Sequence, residues 1–387
     1  MSTSILVNLP GEKHRNDRRR IERKVRNGTL VQPFPRSYTS RYLWQEKTRD
    51  QKILERIYAA AREHPHWTVS SVSAAALYGA IVWPYFHKRI HFAVDDHTAS
   101  TRRLNYPIRF HYIKNCRIFK RFLAEYDIAP HREIIADSRS IVRNYRPLTD
   151  TYALLNGVLV TSVLQTMFDC ARMLPFRFAL MIADYLAKLF HLTRRDINRF
   201  LYKRKKCWKI KYATFVLGFV NPRSENGGES FSRARIIEGG FRVPMIQKIL
   251  RNPFYDPNRK SSTLQNTRTL RPDFLWENAS SSKTNFPHIV AELDGQKKYV
   301  DKKMLAHVGA HDVHDVLMRQ KDRESALMSL GYFVVRFQFS EAKEAGGRAL
   351  WAKLRLAGVP LASPLQLWKR KNWLARNLSS RTLMRLE

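Results

Sequence analysis

Cysteine is scarce in this 387-residue chain: Cys116, Cys170 and Cys207 are three in number and far apart. They form no zinc spacing and no disulfide framework, so a reducing cytoplasm is the expected compartment. Long apolar runs are missing too. No stretch approaches the roughly 18 uninterrupted apolar residues that a membrane span needs. The start, Met1 to Pro10, places a short apolar run (Ile5-Leu6-Val7) before its charge, the reverse of a secretory signal. Acid is the largest deficit, with 33 Asp and Glu against 69 Lys and Arg, a formal charge of +36. Self-repulsion on that scale is costly unless the partner is a polyanion. Nucleic acid is therefore the first expectation and an anionic membrane surface the second.

What is present allows a folded chain. Hydrophobic residues make up 44% and aromatics 12%, enough for a sizeable core. At about 150 residues per domain, two or three domains are expected.

Residues 11–26 read as a basic helix containing Arg18, Arg19 and Arg20, stopped at Asn27-Gly28. Thr29 to Gln32, a break at Pro33 and Pro35, and Ser37 to Thr39 read as a hairpin. A helix followed by a basic hairpin is how a winged helix ends, and equally how a solvated basic arm packs on the next domain. Helical spacing runs from Gln51 to Glu63, and a small-residue helix from Ser70 stops at Gly79. Ile90 to Val94 and Ile108 to Ile113 alternate as strands do, and Val158 to Thr161 feeds two helix patterns, the second over Phe176 to Phe190.

The run Tyr202 to Tyr212 interleaves aromatics with Lys203, Arg204, Lys205, Lys206 and Lys209. Such a run can track phosphates and stack on bases, or be a solvated boundary. Asn221 to Gly228 is rich in turn formers and reads as a domain boundary. Beyond it, a helix over Glu229 to Glu238, strands at Val243 to Ile249, Leu270 to Trp276 and His288 to Leu293, a helix from Arg319 to Leu330 and a strand from Tyr332 to Gln338 make an α/β unit with a central mixed sheet. The expected class is multidomain α+β. The expected parts are residues 1–62 (basic helix and winged-helix-like remnant), 63–200 (mixed α+β), 201–227 (basic linker), 228–360 (α/β unit) and 361–387 (basic tail).

Acids stand out in this last unit. Asp273 follows Pro272 at a strand, and Glu292 and Asp294 end the next strand before Gly295, Lys297 and Lys298. Residues two apart on a strand share a face, so Glu292 and Asp294 are expected together. Glu229 begins the helix expected to pack across those strands. Unpaired buried carboxylates are expensive, and a hard cation, Mg²⁺ or Mn²⁺, gives them a purpose in activating water against a phosphodiester. The alternative is structural: Asp273 and Asp294 cap turns, Glu292 pairs with a lysine, and Glu229 is a helix N-terminal charge.

Residues 228–338 resemble the PD-(D/E)XK nuclease superfamily, in its branch similar to very-short-patch-repair endonucleases. The resemblance rests on Glu229-Ser230 with Arg233, Gly240 with Pro244, Pro272-Asp273-Phe274, Glu292-Leu293-Asp294-Gly295, Asp322-Arg323, and Gly331-Tyr332 with Val335-Arg336. It implies metal-dependent DNA cleavage and no small-molecule substrate. Asp273 and Glu292 are then the main metal ligands, Glu229 an accessory acid and ligand, and Asp294 a further ligand or water-orienting group. The motif's usual lysine is replaced by Asp294, which makes Lys297 the candidate substitute, or else a phosphate contact beside Lys298. Residues 21–200 resemble the AbiEi-type antitoxin family through Val25 to Val31 with Ser37-Tyr38, Ser71 to Gly79, Ile90 to Val94, and Val160-Thr161-Ser162 with Phe168-Asp169. That resemblance implies a DNA-binding regulator with a toxin protein as partner, here with too little chain before Arg18 for a full winged helix.

Overall fold

The computed structural model describes residues 7–8, 15–94, 108–113, 137–256, 267–279, 286–294 and 313–377. Cys116, Lys297 and Lys298, and the tip of the insert after Asn252, lie outside them. The class is mixed α+β. The chain divides into two units, Met1–Leu174 with Leu189–Gly218, and Pro175–Lys188 with Phe219–Glu387.

In the first unit the basic helix spans Arg15–Arg26 and ends as its sequence suggests, with Gly28 at φ +78°. The hairpin follows as β2 (Leu30–Phe34) and β3 (Ser37–Ser40), with β1 (Val7–Asn8) on the other side of β3. Pro33 does not break β2. Its register shifts between Val31 and Phe34, and β2 is an edge strand, where a missing N–H costs no ladder bond. A six-stranded sheet forms the body, in the order β6-β5-β4-β9-β8-β7. Its strands are β4 (Thr68–Val69), β5 (Ile90–Val94), β6 (Ile108–Tyr112), β7 (Tyr145–Pro147), β8 (Tyr152–Leu155) and β9 (Val158–Thr161). β5 and β6 run parallel, which leaves β6 at one edge. The helices Ser71–Leu77 and Val163–Met173 are buried almost throughout, as their small and apolar residues require.

Most of the segment expected as a basic linker, residues 201–217, is helical, and the junction between the units follows it at Gly218 and Phe219. Helices Arg194–Lys203 and Ile210–Leu217 carry this basic stretch within the first unit, because Ile197, Phe200, Leu201, Tyr212, Ala213 and Val216 are buried. The helix Phe176–Leu189 falls almost wholly in the second unit, across the expected boundary at Asn221. The reason is one fully buried ion pair: Arg233 Nη2 donates to Asp184 Oδ2 at 2.7 Å, with side chains 2% and 1% exposed. Asp184 Oδ1 also accepts the Asn221 N–H at 2.8 Å, and the ring of Phe178 meets Phe231 edge-on at 5.7 Å.

The second unit's sheet has the order β10-β13-β14-β15, formed by Met245–Ile246, Phe274–Trp276, His288–Asp294 and Tyr332–Gln338. The first three are antiparallel neighbours, and β14 and β15 are parallel with the helix Val313–Ser329 between them in sequence. Leu275 and Val290 pack with Ala326 and Leu327 of that helix. A hairpin of β11 (Leu250–Arg251) and β12 (Thr269–Leu270) forms the base of the insert. Residues 361–387 are only in part a tail: the helix Pro364–Asn377 is anchored by Arg370, 4% exposed, whose Nη1 donates to Phe241 O at 2.6 Å.

Candidate active site

The registers of the second sheet bring its polar residues to one level. Ile246, Phe274, Ala291 and Val335 form a cross-strand row. One residue further along lie Gln247, Asp273, Glu292 and Arg336, the last two being direct register partners. An apolar row followed at once by a polar row marks where the core ends and chemistry can begin. The level lies at the carboxyl ends of the two parallel strands, where open α/β sheets place ligands.

Asp273 is held in place. Its Oδ2 accepts the Leu293 N–H at 2.9 Å and its Oδ1 accepts the Gln247 amide at 3.2 Å. The same Gln247 Nε2 lies 3.4 Å from Glu229 Oε2. Gln247 is itself oriented by Arg271, which donates to Gln247 Oε1 at 3.2 Å and to Glu225 Oε1 at 2.6 Å. One amide thus links the two acids expected from sequence.

Glu229 has a local role as well. Asn226 caps the helix Gly227–Glu238 by accepting the Glu229 N–H at 3.0 Å. The Glu229 carboxylate reaches back to the Asn226 side-chain amide at 2.6 Å and to the Glu225 N–H at 2.7 Å. Burial nevertheless pushes its carboxyl up to about 7, and the negative charge of Asp273 adds to the rise. The backbone and amide donors around it do not cancel that cost.

The other two acids are engaged by arginines. Glu292 Oε1 accepts from Arg323 Nε at 3.2 Å and Nη2 at 2.9 Å, and Arg323 also donates to Arg271 O at 2.6 Å. Asp294 Oδ1 accepts from Arg336 Nη1 at 2.8 Å, and Arg336 also reaches Glu324 at 3.2 Å. Among the described residues no three His, Cys, Asp or Glu side chains are grouped to hold a metal ion. Glu229 and Asp273 come together, Glu292 stands level with Asp273 but is charge-compensated, and Asp294 belongs to the Arg336 network. Lys297 lies outside the described residues. A two-carboxylate site still suits Mg²⁺, which usually takes one or two carboxylates and completes its shell with water.

Sequence reasoning passed over Gln247, a neutral side chain without a charge signature, and Arg271. It identified Arg323 and Arg336 as motif positions without assigning them acids to hold.

Of the basic residues expected on nucleic acid, Arg19 and Arg20 are exposed on the Arg15–Arg26 helix, which also contains Arg18. Lys203 pairs with Asp150 at 2.5 Å, and Arg204 is tied down by hydrogen bonds. Lys205 and Lys206 are exposed, with Lys205 Nζ 3.5 Å from the Tyr202 ring centroid and Lys209 Nζ 4.7 Å from that of Trp208. No helix among the described residues is long and apolar enough to cross a membrane. No family model, no curated protein and no solved structure matches this chain.

Proposed function

We propose that the second unit is a PD-(D/E)XK-type, metal-dependent endonuclease domain acting on DNA, and that the basic first unit binds the same polyanion. The observation that carries this reading is the Glu229–Gln247–Asp273 link beside Glu292, at the edge of an otherwise apolar sheet. The helix–three-strand–helix–strand order supports it. Glu229 and Asp273 would hold Mg²⁺ or Mn²⁺, with Glu292 joining them when Arg323 turns to a phosphate. The bound ion supplies Lewis-acid charge and a more acidic water. Burial raises the Glu229 carboxyl to about 7 in the metal-free site, and a bound cation would favour its ionised, ligating form. Gln247 holds the two acids at a fixed separation, and Lys297 takes the place of the motif lysine. In the first unit, the Arg15–Arg26 helix and the β2–β3 hairpin act as the end of a winged helix lying along phosphates.

A second reading has its own support. With Arg323 on Glu292 and Arg336 on Asp294, the acids are already neutralised, as in a DNA-binding regulator or AbiEi-like antitoxin with a toxin partner and an inactive nuclease-like unit. Incubation of the full chain with supercoiled and linear DNA, with and without Mg²⁺ or Mn²⁺, separates the two. Cleavage that requires the metal and is abolished in Asp273→Asn and Glu292→Gln supports the enzyme. Retarded migration of a promoter fragment without cleavage supports the regulator. Lys297→Met tests the lysine: lost rate with retained binding makes it catalytic, and weakened binding at normal rate makes it a phosphate contact.

A further inference from the structure

The first unit contains a cleft of about 1280 Å³ that the endonuclease reading does not use. It lies between edge strand β6, the Thr149–Thr151 loop, the Val163–Met173 helix and the segment from Lys203 to Trp208. Arg109, Arg172, Lys203, Arg204, Lys205 and Lys206 line it, and among the described residues no carboxylate does. The exposed Asp150, between the lining Thr149 and Thr151, pairs with Lys203, and the buried Asp169 pairs with Arg172, so only part of this charge is compensated. Two cations are fixed in advance. Arg204 donates to Thr151 Oγ1 at 2.8 Å and to Gln165 Oε1 at 3.2 Å, with its guanidinium 4.5 Å from the Phe200 ring centroid. Arg172, 9% exposed, donates to Asp169 at 2.7 Å, while its Nε–H is buried with no hydrogen-bond partner among the described residues.

Aromatic rings are exposed among these charges. Trp208 is 65% exposed and Tyr112 40%, and both line the cleft. The Trp208 ring meets Lys209 on one side, 4.7 Å from its centroid, and most of its surface still faces water. A cationic groove with exposed rings is what an unpaired nucleic-acid strand requires, since each base offers a face to stack and each phosphate a charge to neutralise. A duplex hides its base faces within the stack and would leave both rings unused. A single nucleotide would underfill a cleft larger than the roughly 300–1,000 Å³ of small-molecule sites.

We propose that this cleft binds a single strand of nucleic acid, with phosphates on Arg109, Lys205 and Lys206 and unpaired bases stacked on Trp208 and Tyr112. The proposal shares its polyanionic partner with the endonuclease reading and does not depend on cleavage. The test is therefore made without divalent metal. Full-length protein in EDTA is titrated into three fluorescein-labelled probes of equal length, oligo-dT, oligo-rU and a duplex, and anisotropy is followed at several salt concentrations. Tight binding of either single strand is expected, and the preferred one identifies DNA or RNA as the source. Trp208→Ala should weaken single-strand binding about ten-fold while leaving duplex binding unchanged, and Trp208→Phe should restore most of the loss. Lys205→Gln with Lys206→Gln should make the salt dependence shallower, by about 0.7 in log–log slope for each lost phosphate contact. A correctly melting Trp208→Ala protein that binds single strands like wild type overturns the proposal. So does an equal loss on duplex and single strand. Failure here leaves the metal-dependent cleavage assay to decide the second unit separately.

Discussion

Arg323 grips Glu292 through two donors, Nε at 3.2 Å and Nη2 at 2.9 Å, and spends a further bond on the carbonyl of Arg271. A guanidinium in that position stands in for a cation beside the acid, and under the proposed endonuclease reading it would have to turn aside before Glu292 could hold a metal. Arg323→Gln should lower stability by about 1.5–3 kcal/mol, the usual range for a hydrogen bond to a charged group. If Glu292 joins a metal set, millimolar Mn²⁺ should raise the melting temperature of this variant more than that of wild type. Equal shifts would assign Glu292 to a structural ion pair.

The Asp184–Arg233 pair has no solvent to fall back on. Arg233→Met strands a carboxylate that also serves the Asn221 N–H, and should destabilise the second unit by about 3–5 kcal/mol in urea unfolding. Replacing both, Asp184→Leu with Arg233→Met, should recover much of that loss. A double variant no better than the single one would mean that Arg233 matters chiefly through its bond to Phe219 O at 2.8 Å.

The two units should respond to pH in opposite directions. In the first, His91 Nδ1 and His111 Nε2 share a hydrogen bond of 2.8 Å. Burial, reinforced by nearby positive charge including Arg109, drives them down to about 2 and about 3. The unfolded chain takes up these protons near 6.5 and the folded unit does not, so the first unit loses stability as pH falls below about 6.5. In the second, folded Glu229 keeps its proton up to about 7, while the unfolded chain releases it near 4.5. Its contribution is present at low pH and is lost as pH rises from about 4.5 through 7. Hydrogen exchange of each unit in EDTA checks both slopes. His91→Phe with His111→Phe should flatten the first, and Glu229→Gln the second.

Duplex affinity should fall steeply with salt. Each phosphate neutralised contributes about 0.9 to the log–log slope on B-DNA, so a flat response would exclude the +36 charge as the source of binding. Neutralising Arg19 and Arg20 should weaken all sequences alike, because phosphate contacts carry no base information.

Long alternating or periodic segments were legible from sequence. β5, β6, β9, β14 and β15 all fall within a residue or two of where their patterns place them, because each carries apolar residues into the core, β5 and β9 on both faces. β7 and β8 escaped notice: Pro147 masks the three-residue β7, and β8 (Tyr152–Leu155) lacks the β-branched residues that mark the equally short β9. The acids were legible as a group of chemical interest, but not in their partners. Arg323 and Arg336 reach Glu292 and Asp294 from 31 and 42 residues away, and no local spacing carries that information. Gln247 sits at φ +51° beside Asp273, a backbone state its sequence does not advertise.

The helix Phe176–Leu189 leaves the ribosome well before the segment that completes its surroundings. Arg233 is added about fifty residues after Asp184, a delay of roughly 3–10 s at about 5–20 residues per second. Through that interval Phe178 lacks Phe231, and the carboxylate of Asp184 lacks its counter-charge. The nascent chain therefore shows chaperones an uncovered apolar helix whose first seconds are governed by translation speed. Cutting the gene at residue 219 would make the gap permanent for both fragments.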